Sequence, residues 1–236
     1  MDNNLDFNIQ THHRIYLTDE LWISISDTLI STWVIGGILI IFAVIARIKI
    51  MNFKPVPETR FQNIIEAMVE GFDNFVAGVM TRKYAYIGNW FFGVFMFLLF
   101  SNISGIFGLR PPTADFATSY PIALTTVILM QYFGIRYNMK KGEYVREFFR
   151  PVFLFMPLNV ISEFSRSISL SLRLFGNMAG GLIVMGLIYG LFPWFLSIGI
   201  PGGLSIYFDI IVGALHAFMF VVLSMYFIMM KVPQEN

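Results

Sequence analysis

The chain has 236 residues, of which 56% are hydrophobic and only 13% charged, and its mean hydropathy is +0.68; an ordinary globular domain is about 25% charged. A surface so poor in charge cannot all face water, so a soluble globular domain is excluded, and the net charge of +1 gives no footprint for a nucleic-acid partner. There is no cysteine, which removes disulfides, thiol catalysis and thiolate metal sites. His12 and His13 stand near the start and His216 deep in the last apolar block, so a haem held between membrane histidines is not expected, nor any other cofactor or metal.

In chain order, residues 1–27 are polar to mixed. The opening Met1-Asp2-Asn3-Asn4, with Asp6, Asp19 and Glu20, lacks the basic region of a cleavable signal, so the first hydrophobic segment is expected to be retained. Residues 28–46 form a first apolar span, followed at once by Arg47, Lys49 and Lys54. Basic residues collect on the cytoplasmic side, which puts the N-terminal segment outside. Residues 57–83 interleave Glu58, Arg60, Glu66, Glu70, Asp73, Arg82 and Lys83 with Ile64, Ile65, Met68, Val69, Phe72 and Phe75. That pattern predicts an amphipathic helix on the inner membrane surface. Residues 89–109 run outward and stop at Arg110-Pro111-Pro112, where paired prolines prevent helix continuation. Residues 121–137 return inward and close with Arg136, Lys140, Lys141, Arg146 and Arg150, a second cytoplasmic cluster that agrees with the first.

Residues 151–231 are almost continuously apolar, broken near Pro193 and at Gly199-Ile200-Pro201-Gly202-Gly203. Two long helices joined by a turn suit this stretch, with the C-terminus cytoplasmic. At about 1.5 Å per residue, helices of about 35–40 residues exceed the bilayer and must tilt steeply, which calls for a partner surface. The expected architecture is one polytopic domain over residues 1–236: an all-α integral membrane protein of five to six membrane helices, the last two packed as a tilted hairpin. No fixed-period repeat is visible, so an inverted-repeat transporter gains no support.

Ionisable groups at membrane depth are costly and usually functional. An arginine at the bilayer centre costs about 2.5–3.5 kcal/mol on insertion scales and about 10–17 in simulations of isolated helices. Arg166, Leu170, Arg173 and Asn177 recur at helical spacing and share a face. Glu163, three residues before Arg166, is placed to pair with it, either as an interfacial anchor or as part of a site. Arg173 has Ser169, Leu170, Gly176 and Asn177 three and four residues away and so no carboxylate on its own helix. Its partner comes from another helix or chain, or from backbone carbonyls. A guanidinium does not give up its proton, but it holds a nearby carboxylate ionised and repels a second cation. Asp209 and His216, two turns apart, line one face of the last helix. They read as a water-filled path able to pass protons, or as a solvated aspartate and a hydrogen-bonded core histidine.

The run Ser169-Leu170-Ser171-Leu172-Arg173-Leu174-Phe175-Gly176-Asn177-Met178-Ala179-Gly180 resembles the signature of subunit a of bacterial F-type ATP synthases. Pro112-Thr113-Ala114-Asp115, Pro157-Leu158-Asn159-Val160-Ile161-Ser162-Glu163 and Leu215-His216-Ala217-Phe218-Met219-Phe220 resemble the same family, in order along the chain. The resemblance implies a stator, not itself an enzyme, in a bacterial plasma membrane. Its two tilted helices would lie against a ring of c subunits, each with a mid-membrane carboxylate, and its other partners would be peripheral-stalk subunit b, the remaining ATP synthase subunits and membrane lipid. Two offset half-channels would serve that carboxylate, kept apart by Arg173. Asn177, Asp209, His216, Glu163 and Asp115 would line the ion path, with Arg166 in support. One departure stands out: many relatives carry Glu or His shortly after the signature's Ala-Gly, where this chain reads Gly181-Leu182, and Asp209 stands in the last helix opposite. Two other readings remain: a self-contained secondary transporter binding an anionic substrate through Arg173, and a membrane subunit whose charges only anchor helices.

Overall fold

The computed structural model describes residues 11–18, 21–51, 59–137, 154, 156–191 and 200–232, with the backbone alone over 11–25. Lys54, Lys140, Lys141, Arg146, Arg150, Pro193 and Gly199 lie outside the described residues, and the side chains of His12 and His13 lie outside them too. The N-terminal segment, read from sequence only as polar to mixed, forms an antiparallel pair, β1 (Thr11–Thr18) with β2 (Leu21–Ser26), with irregular register near both ends. Beyond it the described residues form helices joined by short turns, as an all-α integral membrane protein requires.

Helix α1 (Asp27–Ile50) starts where Ser26 accepts a hydrogen bond from the Leu29 amide, and Asp27 at its first turn and Arg47 and Lys49 at its last complement the helix dipole. Only Thr28, Ser31, Ile35 and Ala46 are buried on it, so most of its apolar surface is left for lipid or a partner. Helix α2 (Arg60–Tyr84) buries Gln62, Ile65, Val76, Met80 and Tyr84, a single stripe consistent with an amphipathic helix. It is interrupted at Thr81, whose φ of 59° lies in the left-handed region.

Helix α3 (Gly88–Ile103) tightens into a 3₁₀ turn (Ser104–Phe107) and closes at Gly108, φ 72°, where the Gly108 and Leu109 amides donate to the carbonyls of Gly105 and Ser104. A short 3₁₀ turn (Pro112–Ala114) leads to α4 (Phe116–Tyr137). The returning helix therefore starts before Pro121, where the sequence reading put it. Asp115 caps it, its Oδ1 accepting from the Ala117 amide at 3.0 Å, and Pro121 costs only one hydrogen bond of the second turn.

Helix α5 (Met156–Leu191) has 36 residues, about 54 Å long against a hydrocarbon core of about 30 Å. The chain then forms α6 (Ile200–Ile206), a π-helical stretch (Tyr207–Val212) and α7 (Gly213–Met229). Among the described residues, four helical segments are long and apolar enough to cross a membrane: Asp27–Ile50, Gly88–Phe107, Met156–Ile188 and Gly202–Met229. Helix α7 packs against α2, α3, α4 and α5, and Phe220, Met225 and Ile228 join Met80, Phe91, Leu98, Met130, Phe133, Leu170 and Leu174 in one core.

Candidate functional site

Helix α7 is fixed to α3 by a fully buried asparagine that sequence reading passed over. Asn102 Nδ2 donates to the Gly213 carbonyl at 2.8 Å, and Asn102 Oδ1 accepts from Thr113 Oγ1 at 2.8 Å. Gly213 permits the approach: a Cβ there would stand 2.7 Å from Asn102 Cβ. Ser119 Oγ in turn donates to the Thr113 carbonyl, so α3, the Pro112–Ala114 turn, α4 and α7 share one satisfied polar knot. The signal was there, since Asn102 is a polar residue inside the apolar run 89–109.

Just before Gly213, the π-helical stretch carries Asp209. Its Oδ2 accepts from Ser205 Oγ at 3.0 Å and lies against Gly105, where a Cβ would come within 2.8 Å. π-Helical turns are uncommon and concentrate at functional sites. Asp209 lines a cavity of about 1190 Å³ together with Arg110, Asp115, Asn177, Gly181 and Leu182. Asp115 has a second duty there, accepting from Thr28 Oγ1 at 3.0 Å and so tying α1 to the start of α4.

Asn177 Nδ2 lies 3.0 Å from His216 Nδ1, linking α5 to α7 beside the cavity. With the amide donating, a neutral His216 carries its proton on Nε2. The charge of Arg173, one turn back along α5, bears on His216. Arg173 Nη1 is itself buried and has no hydrogen-bond partner among the described residues. The structure thus gathers Asp115, Asn177, Asp209, His216 and Arg173 into one neighbourhood.

Glu163 and Arg166 are elsewhere, lower on α5 and off the cavity lining. Glu163 is 7% exposed and pairs with Arg166 Nη1 at 3.2 Å and with Lys231 Nζ at 2.8 Å, while Gln131 Nε2 donates to its Oε2 at 3.1 Å. Arg166 also approaches Met130 Sδ and the ring of Phe227. Lys231 and Gln131 were missed because nothing in one-dimensional spacing relates α4, α5 and the last turn of the chain.

Comparison with known proteins identifies the family. The family model described as ATP synthase A chain matches residues 29–229. Among similar proteins, ATP synthase subunit a of Moorella thermoacetica is 32% identical over 207 residues, covering 87% of this chain and 90% of that protein. Subunit a of Bacillus pumilus is 30% identical over 241 residues, covering 92% and 95%. The sodium ion specific subunit a of Propionigenium modestum is 30% identical over 223 residues, covering 86% and 73%. With a match that runs from the first turn of α1 to the last residue of α7, the chain belongs to the ATP synthase A chain family, subunit a of the F-type ATP synthase.

Proposed function

We propose that the chain is the ion-translocating stator of the rotary complex, offering two offset half-channels through which protons reach and leave the carboxylates of a c-ring. The observation that carries this is the buried Nη1 of Arg173, which has no hydrogen-bond partner among the described residues. A charge at membrane depth needs a partner, and a ring carboxylate arriving from another subunit supplies one. Family membership leaves the self-contained anion transporter without support.

Helix α5 offers a matching surface. Ile161, Phe164, Ile168 and Leu172 recur at three- and four-residue spacing and are exposed in the chain alone. This stripe, continued round the helix toward Arg173 by the exposed Ser165, Ser169 and Gly176, would lie along the ring, while subunit b and the other subunits complete the complex. The cavity of Asp115, Asp209 and Asn177 would be the outer half-channel, ending at the Asn177–His216 pair. Charge supports an orientation: with the last-turn Arg47, Lys49 and Arg136 on the cytoplasmic side, the N-terminus would be outside and Lys231 inside. The Thr28–Asp115 bond holds the two helix starts assigned to the outer face on one side of the membrane, as that orientation requires.

The test uses the whole complex in vesicles with Arg173→Ala. ATP-driven pumping should vanish while hydrolysis by the soluble sector persists; normal pumping would overturn the proposal. Stimulation of hydrolysis by sodium in the parent complex would replace the proton by sodium as the conducted ion.

A further inference from the structure

We propose that Lys231 is a positioning residue that sets the register between α5 and α7, and thereby the alignment of Asn177 with His216 beside Arg173. The inference rests on the reading of these two helices as the ion-translocating pair.

The polar groups joining α5 to α7 form a ladder. At one end Lys231 Nζ meets Glu163 Oε1 at 2.8 Å; at the other Asn177 Nδ2 meets His216 Nδ1 at 3.0 Å. Glu163 precedes Asn177 by 14 residues on α5, and His216 precedes Lys231 by 15 at the end of α7. At 1.5 Å per residue the two rungs are about 21 Å apart on one helix and about 22 Å apart on the other. Equal spacing on antiparallel helices is what a single register requires. Arg166, three residues after Glu163, meets the ring of Phe227, four residues before Lys231, which fits the same register between the rungs.

The lower rung is built to hold. Both side chains are about nine-tenths buried, at 10% and 9% exposure, so the pair is sheltered from competing water. Gln131 of α4 and Arg166 of α5 occupy other lone pairs of the same carboxylate. The turn bearing Lys231 is itself tethered: its amide donates to the Ile228 carbonyl and the Val232 amide to Met229, with Val232 buried. A slip of α7 by one turn, about 5.4 Å, breaks both rungs together. Fixing the lower rung therefore fixes the upper, where His216 must meet Asn177. A rotating partner pushing laterally on α5 makes such a constraint necessary.

The test reads geometry first. The chain has no cysteine, so Asn177→Cys with His216→Cys can be bridged in the assembled complex by a short bifunctional thiol reagent. Adding Lys231→Met should cut the cross-link yield several-fold, and Lys231→Arg, which keeps the charge, should restore it. In parallel, without the cysteines, Lys231→Met and Glu163→Gln should each lower ATP-driven pumping. Together they should be no worse than the more damaging single change, as two halves of one contact. An unchanged yield in Lys231→Met, or additive losses in the double variant, overturns the proposal. If Lys231→Met prevents assembly, Lys231→Arg decides: assembly with full cross-linking supports the register role, and failure to assemble overturns it. Because the cross-link reports geometry without ion flow, its result is separate from the Arg173→Ala test.

Discussion

Replacing Gly213 by alanine puts the contact between α3 and α7 to the test. The added methyl would stand 2.7 Å from Asn102 Cβ and 3.4 Å from both Asn102 Cγ and Nδ2, against about 3.5–4.0 Å for ordinary carbon contacts. Both carbons sit next to helix backbone, so no flexible side-chain end can swing away, and the helices must separate by about 1 Å. Overpacking of this kind costs about 1–3 kcal/mol. The same displacement stretches the 2.8 Å bond from Asn102 Nδ2 to the Gly213 carbonyl, and a buried amide left without its partner costs about 1–3 kcal/mol more. Purified complexes heated in steps and returned to vesicles should lose ATP-driven pumping at a clearly lower temperature with Gly213→Ala than without it. Gly93→Ala, on the same α3 but with nothing within 4 Å of its Cβ, is the control and should be neutral or slightly stabilising. Equal inactivation temperatures for Gly213→Ala and the parent would refute the close approach of the two helices.

Thr81→Gly should stabilise the kink in α2 by about 1 kcal/mol or more, since a β-branched residue at φ 59° and ψ 142° is strained, and slower thermal inactivation of the complex would show it. Asp115→Ala removes the cap of α4 and the tie to Thr28; a loss of about 0.5–2 kcal/mol from the cap alone is expected, read as a lower temperature of inactivation, with Asp115→Asn milder. Asp209→Asn keeps an acceptor for Ser205 but leaves Asp115, tied to Thr28 and to the start of α4, as the cavity's other acid, so pumping should fall strongly; adding Leu182→Glu, from the same cavity lining, should recover part of it. No recovery would argue that the position on α7, and not merely an acid in the cavity, is required.

The membrane class, the break at Pro111 and Pro112, and the long final helices were legible because each is a local property: an apolar run, a missing amide, a length. Arg173, Asn177, Asp209 and His216 were legible for a related reason, being polar residues where an apolar background makes them conspicuous. The sequence reading began α4 at Pro121, and the cap at Asp115 that lets the helix start at Phe116 depends on side-chain geometry. The β1–β2 hairpin escaped because a short two-stranded pairing leaves no hydropathy signal in a mixed segment. The partners of Glu163 escaped for a deeper reason. Gln131 and Lys231 lie 32 and 68 residues away, and only the packing of α4, α5 and α7 brings them to one carboxylate.

That packing also separates two kinds of charge that the sequence presents alike. Glu163 has two cations and an amide around it, supplied by this chain, and lies off the cavity. Arg173, ten residues along the same helix, has a buried nitrogen that no described group of the chain satisfies. The first arrangement is closed and resists change, because removing any one partner strands the rest in a low dielectric. The second is open among the described residues and, on the function proposed above, is completed by a ring carboxylate. A device that moves ions past a fixed charge needs both: one charge cyclically matched and released by a moving partner, and others that hold its helix still. Each charge crossing the membrane releases only about 2.3 kcal/mol per 100 mV, so a slip that let ions bypass Arg173 would waste a large part of each step. The closed cluster at Glu163 and the knot at Asn102 brace α7 from its two sides, against α5 and α3, and the open charge at Arg173 lies along α5 between the levels they fix.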